Sequence, residues 1–212
     1  MKLKSFTVNP FQENTYLLEK ENKAVIFDPG FFNATEISGM DQILKEWDVE
    51  LIAVILTHAH TDHVLGLQRV LDRYDIPVYM NHGDLYLWEN FVASSAMFGL
   101  QVEPFNFTPV NLEPQRGWQI GPFTFDILFT PGHAPGHLSF HAKAANLLIA
   151  GDALFRESIG RTDLYKGDFD QLEKSIKENI YTLSDETRIL PGHGIETTVG
   201  HEKVNNPFVK AE

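Results

Sequence analysis

Six apolar residues, Leu51-Ile52-Ala53-Val54-Ile55-Leu56, run straight into Thr57-His58-Ala59-His60-Thr61-Asp62-His63, and no other stretch constrains the fold as tightly. The run is short, apolar and rich in β-branched residues, the pattern of a buried strand. The polar cluster therefore falls at the carboxyl end of a strand, where open α/β sheets carry their ligand sites. Alternation along an extended chain sends His58 and His60 to the same side. Asp62 and His63 fall where the chain turns into the amphipathic stretch from Val64 to Tyr74. Three imidazoles and a carboxylate, with no Lys or Arg among them, are costly to bury without partners. Zinc, iron or manganese accepts that donor set.

The same arrangement recurs along the chain. Lys2 to Val8, Thr15 to Glu19 and Ala24 to Phe27 read as strands, with Glu21-Asn22 as a hairpin turn and Asp28-Pro29-Gly30 as turn chemistry. Thr35 is the predicted N-cap of a helix whose apolar face is Ile37, Met40, Ile43, Leu44 and Trp47. Val64 to Tyr74 reads as a second helix, Pro77 to Met80 as a short strand and Asp84 to Phe91 as a third helix. From Val92 to Gln115 the pattern blurs into an inserted loop or lid with a short helix. Phe123 to Phe129, Leu138 to His141, Leu147 to Ala150 and Arg188 to Leu190 are strands, and Asp168 to Leu183 is a helix with Phe169, Leu172, Ile176 and Ile180 on one face. Strands, a helix, then metal-type residues at strand ends occur in both halves. That pattern predicts an α/β (α+β) fold, a four-layer αββα sandwich, as one domain over residues 1–212.

Three more residues join the candidate set. His133, Asp152 and His193 each follow a predicted strand beside Gly or Pro, which lets a loop turn sharply while holding a ligand. Five His and two Asp exceed what one zinc ion takes. Two divalent metals sharing one carboxylate use them all, and such pairs orient a water and lower its pKa. Hydrolysis is the chemistry this suggests.

The series Thr-His-x-His-x-Asp-His, Thr130-Pro131-Gly132-His133, Gly151-Asp152 and Pro191-Gly192-His193-Gly194 resembles the metallo-β-lactamase superfamily. Gly151-Asp152-Ala153-Leu154-Phe155, Gly160-Arg161-Thr162-Asp163 and Asn206-Pro207-Phe208 resemble its short glyoxalase II-like hydrolases, of the hydroxyacylglutathione hydrolase type. The resemblance implies that His58, His60 and His133 hold one metal, that Asp62, His63 and His193 hold a second, and that Asp152 bridges them. Zinc is the first choice, with iron or manganese as the others. It implies thioester cleavage by a metal-activated hydroxide, with Asp62 and Asp152 as the carboxylates that serve catalysis and no protein nucleophile. The longer glyoxalase II type adds a carboxy-terminal helical domain and a Tyr two positions after its last His. No such domain is expected here, and Ile195 stands at the Tyr position.

Arg161 is the expected substrate anchor, since its planar fork suits a carboxylate; a structural ion pair with Asp163 or Asp168 is the alternative. His137 is expected to support a ligand rather than be one, and Asp28 to be turn chemistry or an acceptor behind the ligands. Phe91, Phe98, Phe105 and Phe107 are either core or the wall of an apolar pocket. Other functions remain open: a mononuclear iron persulfide dioxygenase of the same superfamily, or a non-catalytic metal-binding protein. Composition narrows the field. With 17 basic against 29 acidic side chains, a net charge of −12 argues against nucleic acid as a partner. The absence of Cys removes disulfides and thiolate ligands. No apolar run nears the roughly 20 residues that span a bilayer, and the amino terminus enters a strand without a leader's apolar core, so no membrane partner and a cytoplasmic location are expected.

Overall fold

Two units make up the computed structural model, which describes residues 1–211: Met1–Leu112 and the chain from Glu113 onward. Each is built on one six-stranded sheet, and helices accompany both. This is the mixed α/β class read from the sequence.

In the first unit β1 (Lys2–Val8), β2 (Glu13–Lys20), β3 (Lys23–Phe27), β4 (Glu50–Ile55), β5 (Val78–Met80) and β6 (Val110–Asn111) are hydrogen-bonded in that order. β1 to β3 form an antiparallel meander, and β3 to β6 run parallel. Glu21 and Asn22, with φ of 52° and 60°, make the two-residue hairpin whose twist matches that of its strands. Parallel pairing puts the carboxyl ends of β3, β4 and β5 on one edge of the sheet.

Helix α1 (Ala34–Trp47) buries Ile37, Met40 and Leu44. Its N-cap is Asn33 rather than Thr35: the Asn33 side chain accepts from the backbone N–H of Thr35 and Glu36 at 2.9 and 3.0 Å. Asn caps at least as well as Thr, and the earlier start puts the Glu36 carboxylate where it accepts from the backbone N–H groups of Asn9 and Phe32. The helix expected from Val64 to Tyr74 is broken into α2 (Thr61–Val64) and α3 (Leu67–Leu71). Gly66 sits at the break, pressed on the backbone of Phe31 where no Cβ fits, and its N–H donates to Pro29 O at 2.8 Å. After a 3₁₀ turn at His82–Asp84 come α4 (Leu85–Glu89) and α5 (Phe91–Met97), so the blurred segment does contain a short helix.

In the second unit the sheet order is β14 (Thr197–Thr198), β13 (Arg188–Pro191), β10 (Leu147–Gly151), β9 (Leu138–Ala142), β8 (Phe123–Phe129) and β7 (Gln115–Ile120); β11 (Leu154–Phe155) and β12 (Ser158–Ile159) form a separate ribbon. β10 pairs β13 in parallel, and β9 pairs both β8 and β10 antiparallel. β8, β10 and β13 therefore point the same way and end on one edge. Helix α6 (Phe169–Ser175) is capped by Asp168, whose side chain accepts from Gln171 N at 2.9 Å. It continues as a π-helical turn over Ile176–Ile180. Leu172, Ile176 and Ile180 are buried with Leu148, Leu154 and Val199, whereas Phe169, expected on that face, is exposed. α7 (Val199–Asn205) had no counterpart in the sequence reading. Among the described residues no helix is long and apolar enough to cross a membrane.

Candidate metal centre

The carboxyl edge of the first sheet carries the Thr57–His63 stretch. Asp28 follows β3, Thr57 follows β4 and Asp84 follows β5, so parallel topology brings three remote stretches together. Asp28 is buried and adopts φ of 47°, a left-handed conformation that Asp tolerates better than most residues. One of its oxygens accepts from Thr57 N at 2.7 Å. The other accepts from Thr57 Oγ1 at 2.6 Å and pairs with His63 Nδ1 at 3.1 Å. Because the Thr57 hydroxyl proton goes to Asp28, that oxygen accepts from His58 Nδ1, 3.0 Å away. Both imidazoles are thereby held as Nδ1–H tautomers, with Nε2 as the lone-pair nitrogen that a metal takes. Asp84, fully buried, fixes Ala59 by accepting from its N–H at 3.1 Å. The His58 ring lies 4.8 Å from His60 and 4.1 Å from His63. Asp62 Oδ2 is 3.9 Å from His63 Nε2. Asp28 is thus the acceptor behind two candidate ligands, His63 directly and His58 through Thr57.

Glu13 lies behind this set. It is fully buried at the start of β2; Oε2 accepts from Thr15 Oγ1 at 2.9 Å and Oε1 lies 3.9 Å from His63 Nδ1. Burial pushes its pKa well above the ordinary carboxylate range, against the pull of His63. Sequence reading gave no supporting role to Glu13, Asp84 or Thr57. The available signal was Glu13-Asn14-Thr15, three consecutive polar residues inside a strand.

At the edge of the second sheet, His133, Asp152 and His193 follow β8, β10 and β13. Asp152 Oδ2 lies 3.5 Å from His133 Nε2 and 3.6 Å from His193 Nε2. Ligand atoms each about 2 Å from a shared metal sit at about this separation. His133 Nδ1 pairs with the backbone carbonyl of Arg161 at 2.7 Å, which makes it the protonated nitrogen. His137 is fully buried: Nε2 accepts from Asp152 N at 3.1 Å, and Nδ1 pairs with Thr130 Oγ1 at 2.8 Å. Its ring thus holds the Asp152 backbone. Gly160 is pressed against the Asp152 carbonyl and the His133 ring, so any Cβ there would collide. The Arg161 side chain is exposed and makes a two-pronged pair with Asp163 at 2.7 and 2.7 Å. That pair holds the Asp163 carboxyl down at about 2 and raises the guanidinium further.

Imidazole Nε2 atoms set by fixed Nδ1 partners, alongside carboxylates, make up the donor set of a divalent-metal hydrolase, and the comparisons with known proteins agree. The family model of the metallo-β-lactamase superfamily matches residues 8–193, and the chain belongs to that superfamily of divalent-metal enzymes. It is 39% identical over 214 residues to the probable metallo-hydrolase YqgX of Bacillus subtilis, covering 99% of this chain and 98% of that protein. It is 34% identical over 217 residues to the hydroxyacylglutathione hydrolase GloC of Haemophilus influenzae, covering 100% of both. Among solved structures it resembles the BLEG-1 B3 metallo-β-lactamase, with TM-score 0.89 and 36% identity over 99% of this chain and 100% of that one. It also resembles TTHA1623 in a di-iron-bound form, with TM-score 0.87 and 36% identity over 97% and 99%.

Proposed function

We propose that this chain hydrolyses thioesters at a two-metal centre: water adds to the acyl carbon, the C–S bond breaks, and a carboxylic acid and a thiol leave. The observation that carries the reading is Asp152 Oδ2, set nearly equidistant from His133 and His193 Nε2, as a bridging carboxylate would be. His58, His60 and His133 would hold one ion and Asp62, His63 and His193 the other. Divalent metals supply a low-pKa water and polarise the carbonyl oxygen. The chain's own contribution is orientation: Asp28 aims His63 and, through Thr57, His58; the Arg161 carbonyl aims His133; His137 holds the Asp152 backbone. Full-length similarity to a hydroxyacylglutathione hydrolase favours a thioester, and zinc is the metal of first choice, with similarity to a di-iron structure keeping iron in view.

Arg161 would bind a carboxylate of the thiol carrier by exchanging Asp163 for it. Truncation of such an anchor raises KM and leaves kcat nearly unchanged, so an unchanged KM for Arg161→Ala removes it from the substrate site. The reading as a whole is tested by elemental analysis of reconstituted protein together with anaerobic release of free thiol from an acyl thioester. Two metals and oxygen-independent thiol release are expected. One metal, with oxygen uptake on a persulfide and no anaerobic activity, would overturn it in favour of the dioxygenase.

A further inference from the structure

The aromatic residues of the blurred segment divide into two groups. Phe105 stacks on Trp88 at 4.2 Å and on Phe91 at 4.7 Å, and Phe107 meets Trp88 edge-on; these form a satellite core. Phe98 stands apart. It is 54% exposed, next to Met97 at 79%, and its ring meets Phe11 edge-on at 5.0 Å.

Phe11 lies in the connection between β1 and β2, which is fixed firmly. Asn9 and Gln12 hold φ of 52° and 58°, a left-handed conformation that Asn adopts more readily than most residues. Asn9 pins the connection: Oδ1 accepts from Phe11 N at 2.9 Å, while Nδ2 donates to Gly30 O and to Asp62 O, both at 3.0 Å. One side chain thus registers Phe11 to the backbone of a candidate metal ligand. From the other direction, α5, which ends in Met97, packs on α2, the turn that carries Asp62 and His63. Isolated exposed apolar residues need no explanation. An apolar set carried on the elements fixed to the Asp62–His63 turn matches what a ligand with a reactive polar group and an apolar tail requires.

We propose that Phe11, Met97 and Phe98 form the acyl-binding wall of the site and select thioesters with an apolar acyl chain. This rests on the thioester reading and goes past it by fixing the acyl side. The chain occupies the face of Phe98 that Phe11 leaves uncovered, with the thioester carbonyl toward Asp62.

The test compares hexanoyl and acetyl thioesters of N-acetylcysteamine, a small neutral carrier, on the metal-loaded full chain. Binding of the S-hexyl and S-methyl thioethers is read in parallel by calorimetry. The wild type is expected to prefer hexanoyl in kcat/KM. Phe98→Ala should cut that preference about tenfold, within the range one apolar contact is worth in substrate discrimination. It should weaken S-hexyl binding by a similar factor, and Phe98→Leu should restore most of both. Phe208→Ala, which removes an exposed phenylalanine of the second unit, should leave the preference alone. A wild type indifferent to chain length, or a preference that survives Phe98→Ala, overturns the proposal. So does a dimer that Phe98→Ala dissociates with preference intact, since a second copy of the chain would then cover the patch. Phe98-dependent S-hexyl binding with no thioester cleaved would uphold the wall and overturn the chemistry.

Discussion

The two ligand-bearing regions solve the same problem by different means. In the first unit the candidate ligands come from one unbroken stretch, and buried side chains brace them: Thr57 at its start, Asp28 and Asp84 from the ends of β3 and β5 and, behind His63, Glu13. In the second unit each candidate comes from a different loop, and much of the bracing is backbone: the Arg161 carbonyl on His133, the Asp152 N–H on His137 and the close seat of Gly160. The first region is therefore sensitive to the chemistry of single side chains. The second is sensitive to space and to main-chain path.

Asp152→Ala should show the largest effect, because it removes the carboxylate that both neighbouring imidazoles face. Hydrolysis should fall about a thousandfold or more, as when one member of a catalytic unit is lost, and metal content should drop further than in His193→Ala. If His193→Ala strips both metals while Asp152→Ala retains them, the bridge is misassigned. Gly160→Ala should come next and separate the two regions cleanly. It adds one methyl against the Asp152 carbonyl, and the overpacking should cost about 3 kcal/mol or more, read as a lower denaturation midpoint. Wild-type stability in that variant would mean the loop path is soft and the backbone bracing unimportant.

Asp28→Asn is the matching probe of the first region. Asn keeps the shape and tolerates the positive φ, but one oxygen becomes an amide that no longer accepts from both His63 and Thr57. Metal affinity should weaken about 10- to 100-fold with a modest change in melting temperature. A large melting shift with metal affinity intact would make Asp28 a folding residue.

The smallest effect is expected at His141, on β9 opposite Asp126. Burial lowers its pKa below the ordinary 6.5, so the unfolded chain takes up the proton first. The neutral form's contribution is complete above pH 6.5 and is lost as pH falls from there toward the folded-state value. His141→Gln should flatten that acid limb in denaturation curves measured across the interval. An unchanged slope would show that His141 titrates alike in both states.

The same contrast governs what the sequence could reveal. Strands β3, β4 and β10 were legible because near-complete burial leaves apolar runs, and β8 because its buried and open positions alternate. His58 to His63 were legible because four donors lie within six residues. His133, Asp152 and His193 were found through the Gly and Pro beside them. Edge strand β7 was not, since its residues are largely exposed and it carries Gly117 at φ 66°. Neither was α7, whose cap Thr198 is followed by few apolar residues. Glu13 and Asp84 escaped for a further reason: a buried carboxylate looks like a surface one until topology supplies its partners. The role of Arg161 toward His133 was invisible in principle, because any residue has a carbonyl.

Asp28 carries one more consequence. It receives hydrogen bonds, directly or through Thr57, from His63 and His58, which the proposed assignment gives to different ions. Loading one position draws charge from its imidazole and changes how strongly that ring leans on Asp28, and so how much of the carboxylate remains for the other ring. Metal uptake should then be negatively cooperative, its two stepwise constants linked by a coupling free energy that acts equally in both directions. The sharing of a single anion would make the pair of ions one thermodynamic unit.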